Sequence, residues 1–131
     1  MDTLTVTTRQ RNEFVDITDE VRRSLSRSGI RDGFGVVYCP HTSAAVTVNE
    51  AYDPDVVHDM LLWLEDAIPK ARNGFRHSEG NSDSHIKASL VGPSVTLLVD
   101  DGKLVLGRWQ GVYFCEFDGP RDRKVFVTSL H

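Results

Sequence analysis

Cysteine is scarce in this chain, and it has no long apolar run. The two cysteines, Cys39 and Cys115, lie far apart inside strand-like segments, without the close spacing of a zinc or redox motif. We therefore expect buried, reduced thiols in a cytoplasmic protein, with a disulfide as the alternative. No apolar stretch approaches the ~20 residues that span a bilayer, and residues 1–10 lack the apolar region of a signal peptide. These absences predict a soluble, cytoplasmic protein that does not enter a membrane.

An excess of positive charge is also missing. The formal net charge is -4 and the isoelectric point is about 5.7, which argues against a general nucleic-acid-binding protein. No internal repeat, low-complexity segment or linker is visible. A chain of 131 residues, 40% of them hydrophobic, is long enough to form a core. The composition therefore predicts a single domain that spans residues 1–131.

Two strands and a helix are predicted at the start of the chain. Threonine alternates with aliphatic residues over 3–8, which predicts a half-buried strand, and 14–17 predicts a second, shorter one. Thr18 is expected to cap a helix over 19–28, because acidic residues occupy its first turn and Gly29 follows its last.

Two buried strands and a longer helix are predicted next. The apolar run 33–39 predicts one strand, and 44–48 resumes strand character after a polar break. Asp53 and Pro54 are the preferred cap and first residue of a helix over about 54–68, along which an apolar stripe recurs.

The last third of the chain is expected to be mostly β-structure. A short helix is predicted at 86–90, and Asp101-Gly102 predicts a tight hairpin. Two further strands are expected at about 112–117 and 123–129. The whole pattern predicts an α+β fold, with a largely antiparallel β-sandwich core and two to three helices.

The stretch from His77 to His85, with the sequence HSEGNSDSH, is the main site candidate. It combines two imidazoles, two acids, an amide, three hydroxyls and a glycine, and no helical or strand period runs through it. A polar loop between two well-patterned halves is typical of a functional site, because scaffolds carry their chemistry on loops. The alternative is a solvated surface loop that contains two histidines.

Three histidines, His41, His77 and His85, fall at polar breaks with acids nearby in sequence. Neutral imidazoles and carboxylates are good ligands for a divalent metal, and three of them leave one coordination position for water or substrate. The spacing matches no short zinc motif and therefore does not indicate which metal binds. The alternative is that each histidine only forms a hydrogen bond in its local turn.

Asn49, Glu50 and Asp53 flank the predicted start of the second helix, where backbone N–H groups favour anions. Their side chains can coordinate a cation or act in acid–base chemistry. Capping alone explains Asp53, whereas Glu50 has no such structural role and is the better catalytic candidate.

Trp109 and Gln110 lie between two glycines, where an indole can stack on a flat heterocycle and an amide can bind its edge. The alternative is a core tryptophan in a strand. Glu116 stands in the apolar run 114–117 and must therefore point outward or be paired. The basic residues that can contact a phosphate are Arg76, Lys87 and Arg121.

Two long stretches, CPHTSAAVTVNEAYDPDV (39–56) and RHSEGNSDSHIKASLVGPSVTLLVDDGKLVLGRWQGVYFCEFDGPR (76–121), resemble the YjbQ-like family in sequence and in order. That family is also described as secondary thiamine-phosphate synthase. The resemblance extends over residues 3–128, and its motifs are long enough to be specific. It implies a single α+β domain with an antiparallel β-sandwich core, assembled as a homotrimer with its polar motifs near the subunit contacts.

The activity implied by the resemblance is a condensation of hydroxymethylpyrimidine diphosphate with thiazole phosphate. The products are thiamine phosphate and pyrophosphate. In this family the reaction is regarded as a secondary activity, and the physiological substrate is undetermined. Its polar motif positions fall here on His41, Thr42, Ser43, Asn49, Glu50, Asp53, His77, Glu79, Gly80, Asn81, His85, Lys87, Trp109, Gln110 and Glu116.

On this resemblance we expect catalytic roles for His41, Glu50, His77, Glu79 and His85. The three histidines are expected to hold a divalent metal ion, zinc or magnesium, and Trp109 to stack on a substrate ring. Residues expected to bind a phosphorylated small molecule are Thr42, Ser43, Asn49, Asp53, Asn81, Lys87, Trp109 and Gln110. Two other functions fit the same residues: a metal-dependent hydrolase of a phosphorylated substrate, and a small-ligand or phosphate-binding module without turnover.

Overall fold

Eight strands and three helices make up the computed structural model, which describes residues 1–131. The strands are β1 (Asp2–Thr7), β2 (Glu13–Asp16), β3 (Gly33–Tyr38), β4 (Ala44–Glu50), β5 (Ser94–Asp100), β6 (Lys103–Val105), β7 (Gln110–Glu116) and β8 (Asp122–Leu130). The helices are α1 (Thr18–Arg27), α2 (Pro54–Ala67) and α3 (Ser82–Val91). Every strand pairing is antiparallel, so the predicted α+β fold is confirmed. No helix combines the length and the apolar character that a membrane crossing requires.

The strands form two sheets that pack face to face. The five-stranded sheet has the order β1-β8-β3-β5-β6, and the three-stranded sheet has the order β2-β7-β4. The larger apolar cluster lies between them and includes Val37, Val46 and Phe114. Helices α2 and α3 cover the other side of the three-stranded sheet, where Tyr113 and Cys115 belong to a second cluster. The central strand β7 is therefore covered on both faces, which explains its nearly continuous apolar sequence.

Several elements follow the local sequence closely. The carboxylate of Asp53 accepts the N–H of Asp55 at 2.9 Å, and Pro54 begins α2, as predicted. Asp101 and Gly102 have φ angles of 51° and 76° and join β5 to β6, which confirms the tight hairpin. Cys39 and Cys115 are both buried free thiols, also as predicted.

The start of α1 differs from the prediction. Thr18 is the first helical residue, and no side chain caps the helix. The hydroxyl of Thr18 instead donates to Asp16 and accepts the N–H of Val112 at 2.9 Å. The capping prediction was wrong because this hydroxyl connects the helix to β7.

Helix α3 begins four residues earlier than the predicted helix over 86–90. The second half of the stretch His77–His85 is therefore its first turn, and the prediction of a continuous loop is wrong there. The buried face of α3 is mostly polar and consists of Asp83, Ser84, Lys87 and Ala88. Apolar periodicity could not indicate this helix, because the side chains that it turns inward are mostly not apolar.

Candidate active site

The predicted site residues lie at two opposite ends of the three-stranded sheet. Along the antiparallel pair of β4 and β7, Ala44 is opposite Glu116 and Glu50 is opposite Gln110. Six residue steps of roughly 3.3 Å separate the two ends by about 20 Å. The histidine end comprises His41, Thr42, Ser43, His77, Glu79, Gly80, Asn81, His85, Lys87 and Glu116. The tryptophan end comprises Asn49, Glu50, Asp53, Trp109 and Gln110.

His85, at the histidine end, has a defined tautomer. Its Nδ1 lies 3.0 Å from the carbonyl oxygen of Thr42, which can only accept, so Nδ1 carries the proton and donates it. Nε2 makes no hydrogen bond within the chain and keeps a free lone pair. An N–H held by a backbone carbonyl is the usual way in which a metal-binding or catalytic histidine is oriented.

His77 and His85 form an imidazole pair beside an open pocket. Their ring centroids are 5.4 Å apart at an interplanar angle of 72°, and the Glu79 carboxylate lies 3.7 Å from Nε2 of His77. The pocket has a volume of about 480 Å³, and Arg76 and Ser82 also line it. Imidazole, guanidinium and hydroxyl groups thus face one cavity, a combination that suits an anionic group of a substrate.

His41 lies near this pair but does not join it. Its Nε2 lies 2.9 Å from the backbone nitrogen of Lys124 and 3.1 Å from the carbonyl oxygen of the same residue, so the backbone engages this atom in either tautomer. Burial, and then the charge of Arg123, lower the pKa of His41 below its ordinary value of 6.5. His41, Thr42 and His85 share a second pocket of about 260 Å³. Nε2 of His41 is therefore occupied by the backbone, and Nδ1 is the ring nitrogen left to meet a ligand.

The predicted metal site is only partly assembled in one chain. His77 and His85 are adjacent, whereas Nε2 of His41 is engaged by the backbone. No three histidine, cysteine, aspartate or glutamate side chains converge closely enough to hold a metal ion. Of the predicted site residues, one chain brings together the two imidazoles, with the Glu79 carboxylate 3.7 Å from Nε2 of His77.

Glu116 is buried and paired, which is one of the two predicted outcomes. Arg123 donates to both of its oxygens, through Nε at 2.8 Å and through Nη2. The Thr8 hydroxyl donates at 2.9 Å and the Asp118 N–H at 3.0 Å. Burial by itself raises the pKa of Glu116, but these donors hold the pKa below its ordinary value. Glu116 is therefore an internal anion rather than an acid–base group.

Lys87 lies inside the protein, at 1% exposure. Its Nζ donates to Asp83 at 3.0 Å and to Asn12 at 3.2 Å. Both Nη atoms of Arg11 donate to the same Asp83 carboxylate, at 2.9 and 3.0 Å. Lys87 thus stabilises the first turns of α3 and has almost no surface with which to contact a substrate, contrary to the prediction.

Two other residues predicted to bind substrate are also buried. The Ser43 hydroxyl accepts from Nη2 of Arg123 at 2.9 Å. The Asn81 amide donates to Asp118 at 2.8 Å, and its Oδ1 has no hydrogen-bond partner. Thr42, by contrast, is exposed. Of these three residues, only Thr42 presents its side chain to a ligand at the surface.

The acidic residues at the tryptophan end have different roles. Asp53 caps α2, as described above, and Glu50 accepts the N–H of Asp53 at 3.3 Å through Oε2. The side-chain oxygen Oδ1 of Asn49 accepts the N–H of Glu50 at 2.7 Å. Glu50 is half-buried, and its second oxygen makes no hydrogen bond, so this carboxylate remains available for chemistry.

Trp109 precedes β7 and is 44% exposed, so it is not a core tryptophan. Its ring centroid lies 4.7 Å from that of Tyr52, with a tilt of 56°, and 4.5 Å from the guanidinium carbon of Arg108. The side-chain oxygen of Gln110 accepts the N–H of Gly107 at 2.7 Å, which leaves its amide hydrogens free. Trp109 and Tyr52 therefore form an exposed aromatic surface next to the cation of Arg108.

Arg123 and Tyr52 belong to the site region but were not predicted. Arg123 had a sequence signal, because it alternates with Val125 and Val127 and so lies on the inward face of β8. A cation on that face requires a buried carboxylate. Tyr52 had no comparable signal, since it lies between β4 and α2 and follows no period.

Comparisons with known proteins agree over almost the whole chain. A family model described as "UPF0047 protein YjbQ-like" matches residues 2–131. A UPF0047 protein of Methanocaldococcus jannaschii is 52% identical over 125 residues, which are 95% of this chain and 90% of that protein. The UPF0047 protein YugU of Bacillus subtilis is 47% identical over 128 residues, covering 98% of this chain and 97% of that protein.

Solved structures show the same fold. A crystal structure of an uncharacterized protein of the YjbQ/UPF0047 family from Clostridium acetobutylicum is similar with a TM-score of 0.97 and 49% identity, over 99% of this chain and all of that one (100%). A conserved hypothetical protein from Thermus thermophilus has a TM-score of 0.92 and 42% identity, over 99% and 100% of the two chains. The descriptions of these four relatives name no activity.

Proposed function

The chain belongs to the UPF0047 YjbQ-like family, and we propose that it is a transferase that joins two phosphorylated heterocycles. The proposed reaction condenses hydroxymethylpyrimidine diphosphate with thiazole phosphate. The thiazole nitrogen forms a bond to the exocyclic methylene carbon of the pyrimidine. The bond from that carbon to the diphosphate oxygen breaks, and pyrophosphate leaves with the electron pair. Thiamine phosphate is the other product.

The main support is the pocket beside His77 and His85. A departing diphosphate needs positive charge and hydrogen-bond donors where its own charge develops. Arg76 and Ser82 line this pocket next to the imidazole pair, and neither side chain has a partner within the chain. The lone pair on Nε2 of His85 is free to hold a proton or a metal ion.

A divalent metal ion fits this pocket in part. His77 and His85 are the ligands that one chain offers, with Glu79 close enough to orient His77. Two imidazoles leave several coordination positions, which substrate oxygens and water can fill. When bound, zinc or magnesium would neutralise charge on the diphosphate. His41 takes no part in this ligand set, because the backbone of Lys124 occupies its Nε2, and it meets a substrate through Nδ1.

The separation of the two ends supports an oligomeric site. Glu50 and Trp109 lie about 20 Å from the imidazole pair, too far to act on the same small substrate. A closed ring with head-to-tail contacts places two different surfaces of one chain against each other at every interface. In the proposed homotrimer, the tryptophan end of one protomer meets the histidine end of its neighbour. Trp109 and Tyr52 then supply a ring surface for the heterocycles.

A metal-dependent hydrolase is the second candidate. The exposure of the imidazole pair favours it, because the side chain of His77 is 43% exposed and water reaches the pocket freely. In that reaction a water oxygen, rather than the thiazole nitrogen, would attack the phosphorylated substrate. The two functions differ in whether pyrophosphate appears without the thiazole substrate.

The test is thiamine phosphate formation from both precursors by wild type and His85→Asn. The asparagine amide can still donate to Thr42, but it has no group at the position of Nε2. We expect a fall of at least ~100-fold, the usual scale for loss of an acid–base or ligand group. His58→Asn is the matched control, because His58 is an exposed histidine on α2 whose ring forms a hydrogen bond with Asp59 and lies outside the site.

Equal turnover by His85→Asn and wild type would overturn the role of His85, and a wild-type protein that forms no thiamine phosphate would overturn the transferase proposal. Pyrophosphate release without thiazole phosphate, at the same rate as with it, would favour the hydrolase. Binding of both precursors with no turnover by wild type would favour a binding module. A chelator arm tests the metal separately, since full activity after metal removal would exclude a metal requirement.

A further inference from the structure

Arg123 and Lys124 of β8 hold both ends of the segment His41–Ser43. Nη2 of Arg123 donates to the Ser43 hydroxyl at 2.9 Å and lies 3.4 Å from the Ser43 carbonyl oxygen. The backbone of Lys124 holds Nε2 of His41, with its nitrogen at 2.9 Å and its carbonyl oxygen at 3.1 Å. Thr42 lies between these two attachments, so the orientation of its peptide group is constrained from either side.

The guanidinium that holds Ser43 is itself fixed. Arg123 is 3% exposed and forms a two-armed ion pair with Glu116, which is fully buried. Glu116 also accepts from Thr8 and from the Asp118 N–H. A buried pair with all of its donors in place cannot rearrange without leaving a charge unpaired. The attachment of Ser43 is therefore rigid.

The one hydrogen bond that orients His85 comes from this segment. The Thr42 carbonyl accepts from Nδ1 of His85 at 3.0 Å, and the His85 ring makes no other hydrogen bond. We propose that Arg123 is a positioning residue for His85. By fixing Ser43, it directs the Thr42 carbonyl at Nδ1 and keeps the unprotonated Nε2 of His85 facing the pocket.

This role deepens the proposed function, because only the tautomer with a free Nε2 can accept a proton or bind a metal ion there. In the other tautomer Nε2 carries the proton, and the pocket loses its nearest lone pair. Arg123 has no contact with the pocket and acts only through Ser43 and Thr42. The catalytic role of this positioning rests on the proposed transferase function, whereas the positioning itself can be tested without measuring turnover.

The test is the tautomer of His85, measured from imidazole ¹⁵N shifts at a pH where the ring is neutral. We compare wild type with Ser43→Ala, which removes the hydroxyl that Arg123 binds, and with Arg123→Lys, which keeps the charge but loses the second arm. In both variants the ratio of Nδ1–H to Nε2–H is expected to fall roughly fivefold, the effect of weakening one ordinary hydrogen bond.

Thr8→Val is the matched control, because it removes one donor from the same buried cluster without touching Ser43. We expect it to lower the unfolding midpoint as Ser43→Ala does, while the tautomer ratio stays at its wild-type value. If Thr8→Val changed the tautomer ratio as much as Ser43→Ala does, Arg123 would have only a general structural role, and the proposal would be overturned. An unchanged ratio in Ser43→Ala, or an Nε2–H tautomer in wild type, would also overturn it. None of these outcomes depends on turnover.

Discussion

Lys87 donates to Asp83 across 3.0 Å inside the protein, and the two side chains are 2% and 0% exposed. The two residues are one turn apart on α3. Arg11, in the loop between β1 and β2, forms a second ion pair with Asp83. Lys87 is thus part of the framework of α3, which also carries His85 two positions earlier. This arrangement has consequences for stability that can be measured.

Replacement of Lys87 by methionine is expected to destabilise the fold and leave substrate affinity unchanged. Methionine fills a similar volume, but Asp83 then keeps only Arg11 as a charged partner. Removing one member of a buried ion pair costs roughly 3 kcal/mol, which urea unfolding can measure. Lys70→Met, at an exposed position, should change the free energy of unfolding by less than ~0.5 kcal/mol. Unchanged stability combined with weaker substrate binding would instead place Lys87 in the binding site.

Acid unfolding is expected to depend on Asp83. Burial by itself raises the pKa of Asp83, but Arg11 and Lys87 lower it from 3.8 to about 2. The unfolded chain then binds this proton more tightly than the folded chain, so stability is complete above about pH 4 and falls as the pH approaches 2. The contribution is on the order of 2 kcal/mol. Urea unfolding between pH 2 and pH 5 measures how the free energy of unfolding changes with pH. This change should be smaller for Asp83→Asn than for wild type, and equal changes would contradict the assignment.

The histidines His41 and His58 should titrate on opposite sides of pH 6.5. Burial and Arg123 lower the pKa of His41, whereas the hydrogen bond to Asp59 raises the pKa of His58. The neutral form of His41 therefore favours the folded state above pH 6.5, and this contribution is lost as the pH falls through the folded pKa. NMR titration measures both midpoints. Asp59→Asn should lower the midpoint of His58 alone, and a His41 midpoint above 6.5 would refute its burial against Arg123.

Two inactive variants should restore activity when their chains are mixed. His85→Asn damages the histidine end and Glu50→Gln damages the tryptophan end. An interface is therefore intact only where Glu50→Gln supplies the histidine end and His85→Asn supplies the tryptophan end. In a closed head-to-tail ring mixed at random in equal amounts, about a quarter of the interfaces are intact. The measurement is thiamine phosphate formation after the chains are unfolded and refolded together.

The control is a mixture of His85→Asn with a variant that carries both substitutions, which contains no intact interface. Mixed oligomers are verified by co-purification through a tag on one chain. Recovery in neither mixture, despite mixed oligomers, would show that each site lies within one protomer. Light scattering that gave only the 14.7 kDa chain would rule out the ring itself.

Local sequence was sufficient for much of the fold. The Asp53 cap with Pro54, and the hairpin at Asp101 and Gly102, depend on neighbouring residues alone. The alternation in β5 and β8 shows which side chains face the core for the same reason. Thr18 marks the limit of such signals, since its hydroxyl bonds to Val112, 94 residues away, instead of capping α1.

The candidate site was predicted in part. Sequence reasoning selected His77 and His85, and the structure places them 5.4 Å apart because α3 begins between them. It also selected Lys87, Ser43 and Asn81 as ligand contacts, although all three are buried. Their residue types are the same whether they face a substrate or an internal partner, so composition alone could not separate the two cases.

The sequence by itself determined the α+β class, most strand and helix positions and the residue types available for chemistry, because these depend on backbone preferences and short-range periodicity. Only the tertiary structure decided which charges are paired inside, as with Glu116 and Arg123, and which tautomer His85 adopts against Thr42. It also decided that antiparallel β4 and β7 place the histidines and Trp109 at opposite ends of one sheet. These properties depend on contacts between residues distant in sequence, which local patterns do not encode.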